Sequence, residues 1–252
     1  MKRKLALICS AIAAFGCSGT QQQQVYEGSG KPVTSATTTT GSTPKPESPK
    51  VSEKDVPANL KTAAYDYFGC GNESVMDVEL RVKGMPTKTG GMTMKLEKIE
   101  NGAATYAIER TGAIADDLGN EKAVVDATGI YSTENSNATI TPDKNLVLPS
   151  DLTPGKTWPS KTKVVRNDGQ ELEEQSTFKV VGEQSVTTKK GTQKALLVTS
   201  SGTANVKMPS GPKKAKYETQ SWYVKGRGAV KVVITLTLEG QSPNSVVVEE
   251  SK

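Results

Sequence analysis

Apolar and polar residues alternate with a period of two through most of the chain beyond residue 75. This period is typical of β-strands that bury one face and expose the other. The alternation is clearest in residues 230–239, and it recurs in 76–83, 92–97, 105–109 and 171–180. The predicted apolar face consists of Met76, Val78, Leu80, Val82, Met92, Met94, Leu96, Tyr106, Ile108, Leu172, Phe178, Val180, Val230, Val232, Ile234, Leu236 and Leu238.

The residues between these apolar positions are mostly charged or hydroxylated, and we expect them to face water. In the first segment they are Asp77, Glu79, Arg81 and Lys83. A sheet with one apolar face must cover that face by curling, with a second layer, or with a ligand.

Turn signals that contain glycine separate the alternating segments and predict about eleven strands joined mostly by short turns. Asn101-Gly102 and Asp168-Gly169 suit type I′ hairpins, in which both central residues have positive φ. Sequential hairpins of this kind form an antiparallel meander. The segment Asn145–Thr157 is predicted to be an irregular crossing between two sub-sheets, because it carries Pro149 and Pro154.

A short helix is predicted before the first strand, over Asp55–Phe68. Asp55 can cap it, Pro57 suits its first turn, and Gly69 ends it. We therefore expect an all-β fold with minor α content. It would be a strongly curved antiparallel meander sheet or half-barrel, preceded by a disordered linker and a short helix.

The first sixteen residues have the features of a secretory signal peptide. Lys2, Arg3 and Lys4 form a positive start, and an apolar stretch over 5–15 follows. That stretch is shorter than the ~20 apolar residues that a membrane-spanning helix needs. We expect residues 1–16 to be removed.

Gly16-Cys17 then resembles a bacterial lipobox, in which a small residue precedes a cysteine that becomes the lipid-carrying mature N-terminus. The resemblance implies that Cys17 is the lipid anchor, with acyl chains that hold the protein on a membrane. Ser18 follows it, and resemblance to enterobacterial sorting favours the periplasmic face of the outer membrane. The alternative is an ordinary secretory signal, cut near Gly16 or Gly19, with Cys17 incidental.

Residues 17–57 are expected to form a disordered tether, because their composition is rich in glutamine, threonine, serine and proline. Such a segment buries too little apolar surface to offset the entropy of ordering it. The folded domain is then expected over residues 58–252, which is long enough for one β domain with its own core.

Composition excludes several classes of function. Histidine is absent, so neither a Ser-His-Asp triad nor an imidazole metal ligand exists. The net charge is +5, but Lys2, Arg3 and Lys4 supply three of these charges. The mature chain is thus nearly balanced, which argues against nucleic-acid binding. We predict no catalytic set, no cofactor and no metal.

The remaining candidate chemistry is sparse. Cys70 has no predicted disulfide partner and is expected to be a buried or incidental thiol rather than a nucleophile. Asp116-Asp117 is expected in a solvated turn that lacks a full calcium-loop pattern. Glu173 and Glu174 should point to opposite faces of a strand. The lysine-rich stretch 207–216 is expected to be a solubilising hairpin tip, with contact to anionic lipid or cell-wall polymer as the alternative.

Three further segments resemble TapB-like and related uncharacterised envelope β proteins. They are 148–158 with its Gly155-Lys156-Thr157-Trp158, 181–196 with Gly182-Glu183 and Gly191-Thr192, and 222–231 with Trp222-Tyr223 and Gly226-Arg227-Gly228. The resemblance implies a curved antiparallel sheet similar to the half-barrels of the lipoprotein-carrier superfamily, and it supplies no activity. From the residues themselves, Trp158 and Trp222 are expected to fill the core. Gly226 and Gly228 are expected to shape a turn or bulge.

The leading hypothesis is a non-enzymatic envelope lipoprotein whose curved sheet binds an apolar ligand or an envelope partner. One alternative is a structural or assembly lipoprotein that acts only through protein contacts. A hydrolase that uses carboxylates or Cys70 is the third hypothesis.

Overall fold

A computed structural model describes residues 51–208 and 211–251, apart from the side chain of Met208. The predicted signal peptide, the Cys17 anchor and the tether up to residue 50 lie outside the described residues. The packed chain begins earlier than residue 58, since Glu53–Asp55 form a 3-10 turn and Val56 is buried. Residues 51–57, assigned to the tether from the sequence, are therefore part of the domain.

The fold is all-β with two short α-helices among the described residues. The helices are Ala63–Phe68 (α1) and Ala113–Leu118 (α2). The strands are Met76–Val82 (β1), Lys88–Glu100 (β2), Ala103–Arg110 (β3), Glu121–Asp126 (β4), Gly129–Asn135 (β5), Ala138–Thr141 (β6), Asn145–Pro149 (β7), Thr157–Arg166 (β8), Glu171–Thr188 (β9), Gly191–Met208 (β10), Gly211–Val224 (β11), Gly228–Leu238 (β12) and Asn244–Glu250 (β13).

The strands form a closed antiparallel barrel, so the predicted half-barrel is wrong. Twelve of the thirteen described strands complete the ring, and β7 pairs with β5 beside it. The ring closes where the first strand meets the last, with Leu80 of β1 opposite Val248 of β13. The sequence analysis did not predict β13, and alternation within single strands does not reveal which two edges of a sheet will pair.

The meander itself is confirmed, because most neighbouring strands follow each other along the chain. Asn101-Gly102 has positive φ at both residues, as the type I′ hairpin requires, whereas at Asp168-Gly169 only the glycine does. The predicted irregular crossing is also partly wrong, since Asn145–Pro149 is strand β7. A single continuous sheet replaces the two predicted sub-sheets.

The predicted first helix is split into two 3-10 turns and α1. The 3-10 turns are Glu53–Asp55 and Ala58–Leu60. Gly69, at φ 86°, ends α1 as expected. Helix α2 was not predicted, because Asp116-Asp117 had been placed in a solvated turn.

Both helices pack on the apolar face of the sheet, which is therefore the interior of the barrel. Tyr65 of α1 meets Tyr106 of β3 edge to face, with ring centroids 6.3 Å apart. Ile114 and Leu118 of α2 are completely buried against β1, β12 and β13. Each helix thus fills part of the space that a closed ring of strands would otherwise leave open.

Candidate ligand-binding cavity at the mouth of the barrel

A cavity opens at the end of the barrel where β1 and β12 begin and β13 ends. Its empty space is about 700 Å³, a volume that includes open solvent at its mouth. Its apolar wall is formed by Phe68, Met76, Met92, Met94, Ile108 and Tyr223.

The pairing of the strands explains why these side chains converge. Met76 lies opposite Met92, and Met94 lies opposite Ile108, so all four point to the interior face of β1, β2 and β3. Tyr223 comes two residues after the buried Ser221 on β11, so its ring points to the same interior face. Methionine side chains are flexible and polarizable, which suits a wall that adapts to an apolar ligand.

Two glycines allow the end of α1 to approach the β11–β12 turn closely. A Cβ on Gly69 would lie 2.6 Å from the carbonyl carbon of Arg227, and a Cβ on Gly228 would lie 2.7 Å from the carbonyl oxygen of Phe68. Both glycines also have positive φ. This close approach places Phe68 and Arg227 side by side at the cavity.

The rim of the cavity holds a buried carboxylate under two cations. Glu250 is 1 % exposed, and its Oε1 accepts hydrogen bonds from Lys190 Nζ, at 2.9 Å, and from Arg227. Arg227 also donates to Gln193 Oε1 at 2.8 Å. Two buried polar atoms here have no hydrogen-bond partner among the described residues, namely Glu250 Oε2 and Gln193 Nε2.

A second charged group lies deeper in the lining. Arg110 donates to the carbonyl of Gly119 at 2.7 Å and to Glu121 at 3.1 Å. Ser132 also donates to Glu121, at 2.8 Å. Burial raises the pKa of Glu121, and its contacts with Arg110 and Ser132 oppose that shift. Arg110 is therefore compensated by a buried carboxylate.

The β9–β10 hairpin, whose tip is residues 187–191, bends across the outside of β1 and β12 beside the mouth. Lys189 pairs with Glu79 at 2.5 Å, and Lys231 donates to the Thr187 carbonyl at 3.2 Å. Glu79 is 3 % exposed. The prediction that Glu79 faces water is therefore wrong, because a distant hairpin covers the outer face of β1.

A polar patch lies on the interior face of β8 to β11, away from the cavity. Strand pairing aligns Ser160 with Ser176, and Thr162 with Glu174. Tyr217 and Thr219 of β11 follow on the same face. Four buried atoms of this patch have no hydrogen-bond partner in the described part of the chain: Glu174 Oε2, Ser176 Oγ, Tyr217 OH and Thr219 Oγ1.

The candidate chemical residues from the sequence, Cys70, Glu173 and Glu174, fall outside the cavity lining, whereas Arg227 and Gly228 lie in it. Cys70 is buried, and burial raises the pKa of its thiol well above the usual value, which disfavours a nucleophile. Glu173 is exposed and Glu174 is buried, so their predicted opposite orientation is confirmed. Trp158 is buried and stacks on Phe178 at 5.3 Å. Trp222 is only half-buried, on the outer face.

Asp116-Asp117 and the lysine-rich stretch 207–216 do not form a binding site in the described residues either. Asp117 pairs with Lys88 at 2.5 Å from within α2. The described part of the lysine-rich stretch joins β10 to β11 at the opposite end of the barrel, where Lys207 pairs with Glu171. No group of three or more acidic or cysteine side chains within residues 51–208 and 211–251 is arranged to hold a metal ion.

The charged rim is not evident from the sequence. Lys190 belongs to a predicted turn, Arg227 lies between two glycines, and Glu250 belongs to a strand that was not predicted. In the sequence these residues share only a charge near the end of a strand, and such charges are common on protein surfaces.

In the described part of the chain, every helix is too short or too polar to span a bilayer.

The chain matches no family model, and no curated protein matches its sequence. The resemblance to TapB-like proteins therefore stays a prediction. Solved structures do match. One, described as a "putative lipoprotein" from Parabacteroides distasonis, has a TM-score of 0.52 at 14 % identity, covering 74 % of this chain and 98 % of that one. This likeness shows a shared fold.

Two further structures match less closely. A protein from Bacteroides fragilis, described as a "putative exported protein with YmcC-like fold", has a TM-score of 0.49 at 12 % identity, covering 73 % of this chain and 97 % of its own. The lipoprotein YmcC from Escherichia coli, described as hypothetical, has a TM-score of 0.33 at 11 % identity, covering 76 % and 91 %.

Proposed function

We propose that this protein is a non-enzymatic envelope lipoprotein, anchored through Cys17, whose barrel holds an apolar ligand in the cavity at its mouth. The observation that carries the proposal is the cavity wall of three methionines, Phe68, Ile108 and Tyr223, with a few polar groups converging at the rim. A concave apolar lining with a small number of placed polar groups is the usual form of a ligand site.

The proposed envelope location, on the periplasmic face of the outer membrane, rests on the N-terminal sequence. The lipobox-like Gly16-Cys17 and the apolar stretch before it support an anchor. The similar structure from Parabacteroides distasonis is described as a "putative lipoprotein", which agrees with such a location. Glu53, close to the first described residue, accepts a hydrogen bond from Tyr65 and lies beside Gly71, which directly precedes Asn72 of the cavity lining. The tether would thus join the barrel beside the proposed site.

The absence of histidine from the whole sequence supports a non-enzymatic role. The buried Cys70 thiol and the separation of Glu173 from Glu174 on opposite faces support it further. The alternative of an assembly protein would be favoured by an exposed apolar patch. The large apolar side chains exposed among the described residues are Val75, Met85 and Val181, which lie in separate elements.

Binding of a neutral apolar fluorophore, N-phenyl-1-naphthylamine, tests the ligand site. The protein would be the mature chain, residues 17–252, with Cys17→Ser so that no detergent is needed. We expect saturable binding that Met92→Gln weakens by about tenfold, since a polar group then faces the apolar wall. Met85→Gln is the matched control, because Met85 is exposed and outside the lining.

Failure of the Cys17→Ser chain to bind the fluorophore would contradict the ligand site, as would equal effects of Met92→Gln and Met85→Gln. The anchor is tested separately. Labelled palmitate should attach to the wild-type protein in cells and not to Cys17→Ser, and recovery of unlabelled protein with cytosolic markers would contradict the envelope assignment.

A further inference from the structure

We propose that the ligand is an anionic amphiphile, with a carboxylate or phosphate head bound by Lys190 and Arg227 and one apolar chain in the cavity. This inference rests on the proposed function, because it names the chemical class of the ligand of the same site. It depends on the distribution of charge and hydrogen-bond donors around the rim.

The rim carries a surplus of positive charge. Lys190 and Arg227 both contact the same oxygen of one carboxylate, Glu250 Oε1. Two cations and one anion leave one uncompensated positive charge. The side chains of Lys190 and Arg227 are 48 % and 29 % exposed, while that of Glu250 is 1 % exposed. The cations therefore lie between the carboxylate and the solvent, where an incoming head group would meet them first.

The rim also has more donors than acceptors. A lysine ammonium has three donors and an arginine guanidinium has five, and here only a few are used. Gln193 adds a buried amide nitrogen without a partner. Among the buried side-chain acceptors of the rim that the structure describes, Glu250 Oε2 is without a partner, and it belongs to the carboxylate that both cations already contact. At neutral pH a carboxylate head supplies only acceptors and a phosphate monoester supplies mostly acceptors, and charge-assisted hydrogen bonds to both are strong.

The other cations near the cavity do not provide this surplus. Arg110 is compensated by Glu121, at 3.1 Å. Lys189 is adjacent to Lys190 on the same hairpin tip, but it pairs with Glu79 at 2.5 Å on the outside of β1. Lys189 is not among the residues that line the cavity. It therefore provides a matched control for Lys190.

The test compares three ligands with the same twelve-carbon chain: dodecanoate, dodecyl phosphate and dodecanol. Each would displace the neutral fluorophore from the mature Cys17→Ser chain, below its own micellar concentration. We expect at least one anionic ligand to bind about tenfold more tightly than dodecanol, and 0.5 M NaCl to reduce this preference. The two anionic ligands distinguish a carboxylate-binding from a phosphate-binding site.

Substitutions of charged residues test which groups cause the preference for anionic ligands. Lys190→Gln should reduce the anionic preference several-fold, and Lys189→Gln should leave it unchanged. Glu250→Gln removes the competing carboxylate and should increase it. Circular dichroism shows whether each variant is folded, and the anionic preference is calculated relative to the dodecanol affinity of the same variant.

Equal binding of dodecanol and both anionic ligands would overturn this inference and leave the apolar site intact. Binding of none of the three would instead contradict the proposed function itself. A Glu250→Gln variant that loses the anionic preference would also overturn the inference, as would equal effects of Lys189→Gln and Lys190→Gln.

Discussion

The two halves of the barrel interior obey the same alternation but differ in chemistry. The aliphatic half, on β1, β12 and β13, is formed by Val78, Leu80, Val232, Ile234, Val246 and Val248 and is covered by Ile114 and Leu118 of α2. The polar half, on β8 to β11, is formed by Ser160, Thr162, Glu174, Ser176, Ser200 and Thr219, all buried. Both halves are buried, but only the aliphatic half consists of side chains whose burial is favourable.

The difference shows that alternation decides where a side chain points and not whether its burial is favourable. In the polar half, some groups satisfy each other, as Ser160 does with Asn145 at 3.0 Å. Glu174 Oε2 and Thr219 Oγ1 have no such partner within the described chain. An unpaired buried polar group costs about 1–3 kcal/mol. The polar half should therefore respond to substitution and pH in ways that the aliphatic half does not.

The largest expected effect is a pH dependence of stability caused by Glu174. Burial raises its pKa from 4.5 to about 8. Between these values the folded chain keeps a proton that the unfolded chain releases, so stability falls as pH rises. The slope is at most about 1.4 kcal/mol per pH unit. From pH 5 to pH 8 the free energy of unfolding should therefore fall by up to about 4 kcal/mol through this group.

Urea unfolding at pH 5 and pH 8 measures this effect, and Glu174→Gln should remove it, because glutamine does not ionise. Glu173→Gln is the matched control, since Glu173 is the exposed neighbour on the other face. If the wild type and Glu174→Gln show the same pH slope, Glu174 is not a buried neutral acid.

The next prediction tests whether α2 stabilises the aliphatic half. Leu118 is completely buried. Leu118→Ala should lower the free energy of unfolding by about 3 kcal/mol, from lost burial and the cavity left behind. Asp116→Ala, at an exposed position of the same helix, should change it by less than about 0.5 kcal/mol. Similar values for the two variants in urea unfolding would show that α2 does not seal the barrel.

The smallest effect comes from exchanging isosteric side chains between the halves. Thr219→Val removes a buried hydroxyl without a partner and should leave stability unchanged or raise it. Val232→Thr introduces a hydroxyl into the aliphatic half and should cost about 1–3 kcal/mol. Thermal unfolding of the two variants compares them directly. A clear loss of stability in Thr219→Val would mean that this hydroxyl is satisfied after all.

The sequence predicted the parts of the fold that depend on neighbours along the chain. Alternation correctly predicted the inward positions of β1 and β9 and those of β12 from Val232 onward, the end of α1 at Gly69, and the opposite orientation of Glu173 and Glu174. These features follow from backbone geometry over a few residues. At Val230 the prediction was wrong, because a bulge opposite Trp222 places that side chain in the outer cluster with Trp222. The sequence did not predict α2, whose six residues carry only two buried apolar side chains.

The candidate site was less predictable, because its parts come from distant segments. Lys190 and Glu250 are separated by 60 residues, and Glu79 and Lys189 by 110. Their contacts exist only because the β9–β10 hairpin bends back beside β1 and β13. A charged residue near the end of a strand gives no local sign of such a partner.

By itself the sequence determined an all-β chain of sequential hairpins, the inward and outward positions of most strands, and the lack of histidine chemistry. These follow from periodicity, turn residues and composition, which are local or additive. The tertiary structure decided the closure of β1 on β13, the burial of Glu79, Glu174 and Glu250, and the joining of an apolar wall to a cationic rim. Those depend on which distant strand edges and hairpins meet, and no local pattern encodes that pairing.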